Sequence, residues 1–377
     1  MNLSLAQIET PAMLLDAARL RHNMGAIQEL ANLHKLNLRP HIKTHKCLEI
    51  ARLQMEQGAI GITAAKTDEA LPFVEDGIPS LTIAYPLVND AKLDRLIQAC
   101  LRHGTELRLV VDSAVGKQTI ARAGRRHGAR IGVFLKIDVG LHRCGLDPDD
   151  PLLPQLAQEL AADSALDLCG ILAHAGHVYG ARDRAAAQNT ARQELEILAR
   201  VRQELENSGI AVGEVSIGST PTVLASASFA GATELRPGNY VFMDRTPLRL
   251  GLIEDERIAL SVLATVVSSN ADYFIIDSGS KTLSSDQGAH GIAGMQGYGL
   301  AYPADRFQDR EAEMVVAKLS EEHGFVERKD FNLSIGSQVR IVPNHSCTVA
   351  NLLDPYLVVH DGRVVDQWEV AARGQVR

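Results

Sequence analysis

Short apolar, β-branched segments alternate with amphipathic, helix-like segments over the first two thirds of this 377-residue chain. Such alternation is typical of βα units, in which parallel strands are joined by helical crossovers. The helix-like segments include TDEALPFVEDG, VNDAKLDRLIQACLRHG and TARQELEILARVRQELENSG. The candidate strands, in chain order, are residues 38–43, 60–65, 81–86, 107–112, 132–140, 168–176, 214–220 and 233–240.

Eight strands, each followed by a helix or crossover, predict an α/β fold of the (β/α)8 TIM-barrel type, with an open doubly wound sheet as the alternative. In such barrels the functional side chains gather at the carboxyl ends of the strands. Polar side chains at or just past those ends are the first candidates for a site: Lys43, Asp138, Arg143, His174, Thr220 and Asn239.

The pattern changes after residue 248. Segments such as IALSVLATVVSS, DYFIIDSGS, QVRIVPNHSC and PYLVVHDGRVV are short, apolar and separated by turns, and HDG is a hairpin signal. We therefore predict a barrel domain over residues 1–248 and a smaller, mostly antiparallel β domain over residues 249–377. Residues 1–10 are candidates for the β domain.

Composition excludes several classes of protein. The net charge of −8 argues against a nucleic-acid-binding protein. No apolar run is long enough to span a bilayer, and the N-terminus lacks the basic and apolar regions of a signal peptide. The cysteines are odd in number and scattered, which indicates reduced thiols and a cytoplasmic protein: Cys47, Cys100, Cys144, Cys169 and Cys347.

The stretch RPHIKTHK, residues 39–46, concentrates positive charge. Lys43 ends a predicted strand beside His41, His45 and Lys46. Neighbouring cations or desolvation would lower the pKa of its amine, as a Schiff-base lysine requires. A metal site, an anion site and a basic turn in water are the alternatives.

Two further motifs follow the last two predicted strands, IGSTPT (217–222) and RPGNY (236–240). Small residues after a strand can present backbone amides and hydroxyls to a phosphate. The loops after strands 7 and 8 of a barrel are a common phosphate site. These motifs therefore predict a phosphate site, although Gly-Ser-Thr loops also occur without one.

The segment PNHSC places His345 and Cys347 two residues apart. On a strand both side chains would point the same way and could bind one zinc ion, with further ligands from a substrate. A buried thiol beside a surface imidazole is the alternative. KIDVGLHRCG and AHAGHVYG follow the fifth and sixth strands. The first offers Arg143, which could bind an oxyanion or form a salt bridge in a turn. The second offers His174, His177 and Tyr179 as site residues, with histidines that only satisfy local hydrogen bonds as the alternative.

RPHIKTHK, KIDVGLHRCG, GILAHAGH, IGSTPT, ELRPGNYVFMD and PNHSC occur in the order seen in fold-type III pyridoxal-phosphate (PLP) enzymes. The chain most resembles the D-serine dehydratase and D-threonine aldolase group, which is related to alanine racemase. The resemblance covers nearly the whole chain. It implies a (β/α)8 barrel, a C-terminal β domain, and a homodimer with active sites between one barrel and the partner's β domain.

The resemblance also implies roles for single residues. Lys43 would carry PLP and act as a base at the substrate Cα, and His174 would lie by the ring and belong to the catalytic set. Arg143 would approach the phenolic oxygen, and Arg236 the pyridine nitrogen. The phosphate would be held by Thr220, Gly238 and Asn239, with Tyr179 and Tyr240 as further cofactor contacts. His345 and Cys347 would bind a divalent metal, zinc before manganese or magnesium.

Such a site implies a lyase for D-β-hydroxy amino acids: D-serine, D-threonine or 3-hydroxy-D-aspartate. Loss of the Cα proton leads to dehydration, giving a keto acid and ammonia, whereas loss of the hydroxyl proton leads to retro-aldol cleavage, giving glycine and an aldehyde. In the family the dehydratases typically carry His-x-Cys and the aldolases His-x-Asp, so Cys347 favours dehydration. A racemase would leave this pair idle, and non-catalytic PLP-binding proteins usually lack the C-terminal domain.

Overall fold

The computed structural model describes residues 2–288, 295–329 and 331–377. Eight parallel strands pair in order around a ring, and the eighth pairs with the first. His41 forms a parallel bridge with Thr63, whose amide donates to the carbonyl of Pro40 at 2.8 Å, so the ring closes. The predicted (β/α)8 barrel is confirmed. Its strands are Asn37–Leu38, Ile62–Ala64, Ser80–Ile83, Glu106–Val111, Ile131–Lys136, Leu166–Leu172, Glu214–Ile217 and Glu234–Leu235.

The helices around the barrel begin and end where their local sequence dictates. Asn89 caps the helix Asp90–His103 by accepting a hydrogen bond from the amide of Lys92, and the helix ends at Gly104 with φ of 72°. The helices of this part of the chain are Ala17–Leu33, Leu48–Glu56, Thr67–Glu75, Asp90–His103, Ala114–His127, Leu152–Ala162, Arg184–Asn207, Thr220–Ala225 and Arg245–Arg249.

A second, ten-stranded sheet packs against the barrel, and its described pairings are antiparallel except for one. This confirms the mostly antiparallel β domain. The HDG hairpin is present, with Asp361 and Gly362 in the left-handed region as a two-residue hairpin turn requires. The strands are Leu3–Ser4, Ala12–Asp16, Leu260–Ser269, Tyr273–Ile276, Gly299–Pro303, Met314–Leu319, Gly324–Glu327, Gln338–Pro343, Tyr356–His360 and Arg363–Trp368. The short helices Ser280–Leu283 and Ser346–Leu352 accompany it.

The N-terminal segment contributes two strands to this second sheet. Ala12–Asp16 lies between Leu260–Ser269 and Tyr356–His360. The part of the segment in the sheet therefore extends to residue 16, beyond the 1–10 expected. The domain boundary between residues 248 and 249 stays a prediction.

The barrel interior holds a buried charged pair among both apolar and polar side chains. The Arg39 and Glu234 side chains are 1% and 0% exposed, and Arg39 Nε donates to Glu234 Oε2 at 2.7 Å. Glu234 also accepts from the hydroxyl of Ser216, which in turn accepts from Arg236 at 2.6 Å. Through Ser216 and Arg236, this pair is connected by hydrogen bonds to the cavity at the carboxyl ends of the strands. Within the described ranges, no helix is long and apolar enough to cross a membrane.

Candidate active site

A cavity lies at the carboxyl ends of the barrel strands, with the helix Ser346–Leu352 of the β sheet on one wall. It holds about 660 Å³ of space outside protein atoms, part of it open to solvent. Most of the predicted site residues meet there. Its lining residues are His41, Lys43, Thr44, Ala84, Lys136, Arg143, His174, Tyr179, Ser219, Thr220, Arg236, Gly238, Asn239, His345 and Cys347.

Lys43 lies in a single 3-10 turn, Ile42–Thr44, directly after the first strand. The ring of His41 accepts the Lys43 amide at 3.4 Å and starts this turn. Burial lowers the pKa of the Lys43 ammonium, and Arg143 lowers it further, whereas Cys347 acts in the opposite direction. A depressed pKa raises the fraction of neutral amine, which is the form that attacks a carbonyl.

The other basic residues of RPHIKTHK separate into different surroundings. Burial lowers the pKa of His45 to about 3, and its Nδ1 lies 3.1 Å from the Cys47 amide. Lys46 Nζ donates to Asn351 Oδ1 at 2.8 Å and so ties this segment to the β domain. Only His41 and Lys43 of the stretch's basic residues line the cavity.

The predicted phosphate end of the cavity contains buried polar atoms that no described residue satisfies. Thr220 Oγ1 and Asn239 Oδ1 are buried without a hydrogen-bond partner. Of these two atoms only the Thr220 hydroxyl can donate to an oxyanion, because an amide oxygen only accepts. Both residues begin a helical turn, where the first backbone amides lack intrahelical acceptors. A Cβ on Gly238 would lie 2.8 Å from Thr44 Oγ1 and 3.0 Å from the carbonyl of His41, so only glycine leaves this space open. The arrangement suits an oxyanion, and Thr220, Gly238 and Asn239 are called the cradle below.

The predicted ring contacts His174, Arg236 and Arg143 line the same cavity. His174 Nδ1 is 3.0 Å from the carbonyl of Gly218 and must donate to it, which leaves Nε2 as an acceptor. Burial and then Lys43 hold the pKa of His174 well below its ordinary value. Arg236 is buried, and burial lowers its pKa to about 10. Arg143 reaches the cavity from an exposed loop.

His345 and Cys347 line the same cavity, but they do not lie on a strand. The strand ends at Pro343, His345 is the residue before the helix Ser346–Leu352, and Cys347 is in its first turn. The expected strand geometry is therefore wrong, because the chain turns after Pro343. Burial acts to raise the pKa of the Cys347 thiol, but His345, Thr44 and Lys43 together outweigh it through charge and hydrogen bonds, and the pKa is lowered. Thr44 Oγ1 is 3.2 Å from its sulfur.

The described residues contain no group of three His, Cys, Asp or Glu side chains placed to hold a metal. The pair His345 and Cys347 would therefore need ligands from outside these side chains. Nitrogen and sulfur are the ligands that zinc takes in proteins, so the donor set fits the predicted ion.

The two tyrosines predicted to contact the cofactor differ in whether their side chains reach the cavity. Tyr179 lines the cavity, with its ring centroid 6.1 Å from that of His345. The side chain of Tyr240 does not line it. Its hydroxyl accepts from Gln54 Nε2 at 2.8 Å inside the core, so the predicted cofactor contact of Tyr240 cannot involve its side chain here.

Sequence reasoning missed Lys136 and Asp244. Lys136 ends the strand Ile131–Lys136, is 3% exposed and lines the cavity, and burial lowers its pKa to about 8. Its signal was a single lysine closing an apolar strand. Asp244 is fully buried behind the cavity wall and belongs to the motif ELRPGNYVFMD, where it carried no assigned role.

Comparisons with known proteins identify the family and agree with the fold. Residues 15–246 match the family described as alanine racemase, N-terminal domain, and residues 259–359 match the one described as putative serine dehydratase domain. D-threo-3-hydroxyaspartate dehydratase of Delftia sp. (strain HT23) is 33% identical over 377 residues, covering 97% of this chain and 98% of that protein. D-threonine aldolase of Arthrobacter sp. is 37% identical over 378 residues, covering 98% and 94%.

A solved structure is similar over the same length. It is described as a cysteine-to-alanine mutant of D-threo-3-hydroxyaspartate dehydratase in the metal-free form. It matches with a TM-score of 0.88 and 32% identity over 97% of this chain and 98% of that one. The chain therefore belongs to the alanine racemase N-terminal domain family, within the fold-type III PLP enzymes, and to the branch that also carries a serine dehydratase domain.

Proposed function

We propose that this chain is a PLP- and divalent-metal-dependent lyase for D-β-hydroxy amino acids, and that it dehydrates them to a keto acid and ammonia. One observation carries the proposal. Lys43, the cradle at Thr220 and the pair His345–Cys347 line one cavity, although they are distant in the chain. The dehydratase and the aldolase among its relatives support lyase chemistry on such substrates.

The cavity residues fit PLP. Thr220 Oγ1 can donate to a phosphate oxygen and has no other described partner. The side-chain nitrogen of Asn239, Nδ2, already donates to Asp244. We therefore assign the phosphate contact of Asn239 to its backbone amide. Lys43 would hold PLP before the substrate binds, and the cofactor would supply an electron sink for charge that develops at the substrate Cα. Arg143, His174 and Arg236 would orient it.

Lys43 is suited to move the Cα proton, because burial favours the neutral amine. His345 and Cys347 would hold the metal ion, zinc before manganese or magnesium. Such an ion supplies a Lewis acid for the substrate hydroxyl. The Cα proton and the β-hydroxyl group would leave together as one molecule of water. A second water would be consumed when ammonia is released, so the keto acid and ammonia together balance the substrate.

Retro-aldol cleavage is the second candidate, because the D-threonine aldolase of Arthrobacter sp. is 37% identical. The two reactions differ in which substrate proton is removed, from Cα or from the hydroxyl. Cys347 favours dehydration through the resemblance of its motif to those of the dehydratases.

A product assay tests the proposal. The purified protein, supplied with PLP and zinc, is incubated with D-serine, D-threonine and threo-3-hydroxy-D-aspartate. We expect a keto acid and ammonia, whereas glycine and an aldehyde would select the second candidate. Lys43→Ala should lower kcat by at least ~10²–10⁴-fold. Lys117→Ala, which removes an ion pair with Glu159 on an outer helix, is the matched control. No turnover of any of these substrates would overturn the proposal.

We further propose a homodimer in the cytoplasm. The five cysteines are all free thiols, which supports a reducing compartment. The resemblance supports the dimer. Analytical ultracentrifugation at two protein concentrations tests the dimer.

A further inference from the structure

We propose that Asp244 is a positioning residue that holds the cofactor cradle and the metal pair through one carboxylate. This inference rests on the proposed function. Asp244 is fully buried. Its Oδ2 accepts hydrogen bonds from Asn239 Nδ2 at 2.7 Å, His345 Nδ1 at 3.0 Å and the amide of Ser346 at 3.0 Å, and its Oδ1 accepts from the amide of Thr246 at 2.9 Å.

The contact with His345 determines which ring nitrogen faces the cavity. Because a carboxylate can only accept, His345 Nδ1 carries the proton that it shares with Asp244. Nε2 is then the ring nitrogen that is left to face Cys347, with which His345 also hydrogen-bonds, and to bind a metal ion. Carboxylate partners of this kind orient ligating histidines and raise their basicity, and their loss typically lowers metal affinity about 10–100-fold.

The contact with Asn239 orients the residues that would hold the PLP phosphate. Its side-chain nitrogen is occupied by Asp244, which fixes the side chain and with it the turn Asn239–Val241. The segment between these two residues is also constrained. Met243 has φ of 56°, and its carbonyl accepts the hydroxyl of Ser346 at 2.8 Å. Left-handed backbone at a non-glycine residue persists only where the surroundings impose it.

Asp244 therefore links two parts of the site that are far apart in the chain. His345 lies 101 residues after it, in the β domain, whereas Asn239 lies five residues before it, in the barrel domain. Removal of the carboxylate would release both supports at once. The inference predicts that one substitution weakens the binding of two chemically unrelated ligands.

The test measures binding, without turnover. PLP affinity is measured by equilibrium dialysis and zinc affinity by competition with a chromogenic chelator, for the wild type and Asp244→Asn. We expect zinc affinity to fall about 10–100-fold. PLP affinity should fall roughly tenfold, since one charge-assisted hydrogen bond supports the cradle. The visible spectrum of the cobalt(II)-substituted protein should also change, because it reports ligand geometry, which a general loss of stability would not alter.

Three variants serve as comparisons. Asn239→Ala should weaken PLP alone, and His345→Ala should weaken zinc alone. Asp277→Asn is the matched control, because Asp277 accepts from the amide of Thr265 at 2.8 Å and from Thr10 at 2.6 Å, within the second sheet. It should leave both affinities unchanged.

The outcomes separate the two proposals. A wild type that binds neither PLP nor zinc overturns the proposed function and this inference with it. A wild type that binds both, with an Asp244→Asn variant whose affinities stay within twofold, overturns the inference alone. Loss of only one affinity refutes the shared support. If Asp244→Asn does not fold, Asp244→Glu displaces the carboxylate by one methylene, and unchanged affinities in that variant refute the inference equally.

Discussion

The buried pair of Arg39 and Glu234 gives the sharpest prediction about stability. Glu234→Ala would leave the Arg39 guanidinium in the barrel interior without its hydrogen-bonded carboxylate, and both side chains of the pair are almost completely buried. Breaking such a pair typically costs about 3–5 kcal/mol. With an unfolding entropy of about 2.1 cal/mol/K per residue, the 377-residue chain should lose about 4–6 °C in Tm.

The assay is thermal unfolding of the cofactor-free protein at pH 7, followed by circular dichroism. The control is Arg122→Ala, which breaks an ion pair whose side chains are 54% and 42% exposed. Such surface pairs contribute about 0–1 kcal/mol, so its Tm should change by about 1 °C or less. The double variant Arg39→Met with Glu234→Leu should regain most of the loss, because apolar residues often replace a buried pair without cost. A Glu234→Ala variant that melts within 1 °C of the wild type would refute the reasoning, and so would a double variant no more stable than the single one.

Three further predictions concern the cavity. Lys136→Met should stabilise the cofactor-free protein by about 3 kcal/mol at pH 7, because burial lowers the Lys136 pKa from 10.5 to about 8. The folded chain then binds fewer protons than the unfolded chain between those pH values, so wild-type stability rises there. The difference between the two proteins should be full below pH 8 and vanish near 10.5, which unfolding at pH 7 and 10 checks. Gly238→Ala should weaken PLP binding, because the added Cβ would meet Thr44 at 2.8 Å. Gly25→Ala, with open space around it in a helix, should leave binding unchanged and stabilise by about 1 kcal/mol. Cys347→Ala should lose zinc by metal analysis, and full wild-type activity in excess chelator would contradict the metal role.

The barrel was predictable because its signal is repeated. Most of the parallel strands are largely buried and read as short apolar runs, and the count of eight limits the topology. The rule that strand ends meet at one edge then placed Lys43, His174 and Thr220 together. The structure brings all three into one cavity.

The second sheet was less predictable, because its strands are short and irregular. No clear alternation of apolar and polar residues marks the strands Gly299–Pro303, Met314–Leu319 and Gly324–Glu327. Ala12–Asp16 is a short apolar run, and such a run can form either a strand or part of a helix. The helix at Ser346 was missed because an apolar strand runs directly into it after Pro343.

The orientation of single side chains could not be predicted, for a different reason. A motif shows which residues are near a site but does not show which way each side chain points. Tyr240 belongs to the predicted cradle motif and faces the core, whereas Lys136 belongs to an apolar strand and faces the cavity. Only the three-dimensional packing separates the two cases.

The position of Ala12–Asp16 in the second sheet affects how a substrate can enter. This strand leads into the barrel, and Leu260–Ser269 leads out of it, and the two are hydrogen-bonded side by side. Asp16 also donates its amide to the carbonyl of Ala259 at 2.8 Å, where both chain crossings meet. Rotation of the sheet away from the barrel would have to break the hydrogen bonds that join the two parts, such as Lys46 to Asn351 and His345 to Asp244. We therefore expect substrate exchange by diffusion through the cavity mouth, with His345 and Lys43 kept in fixed register throughout turnover.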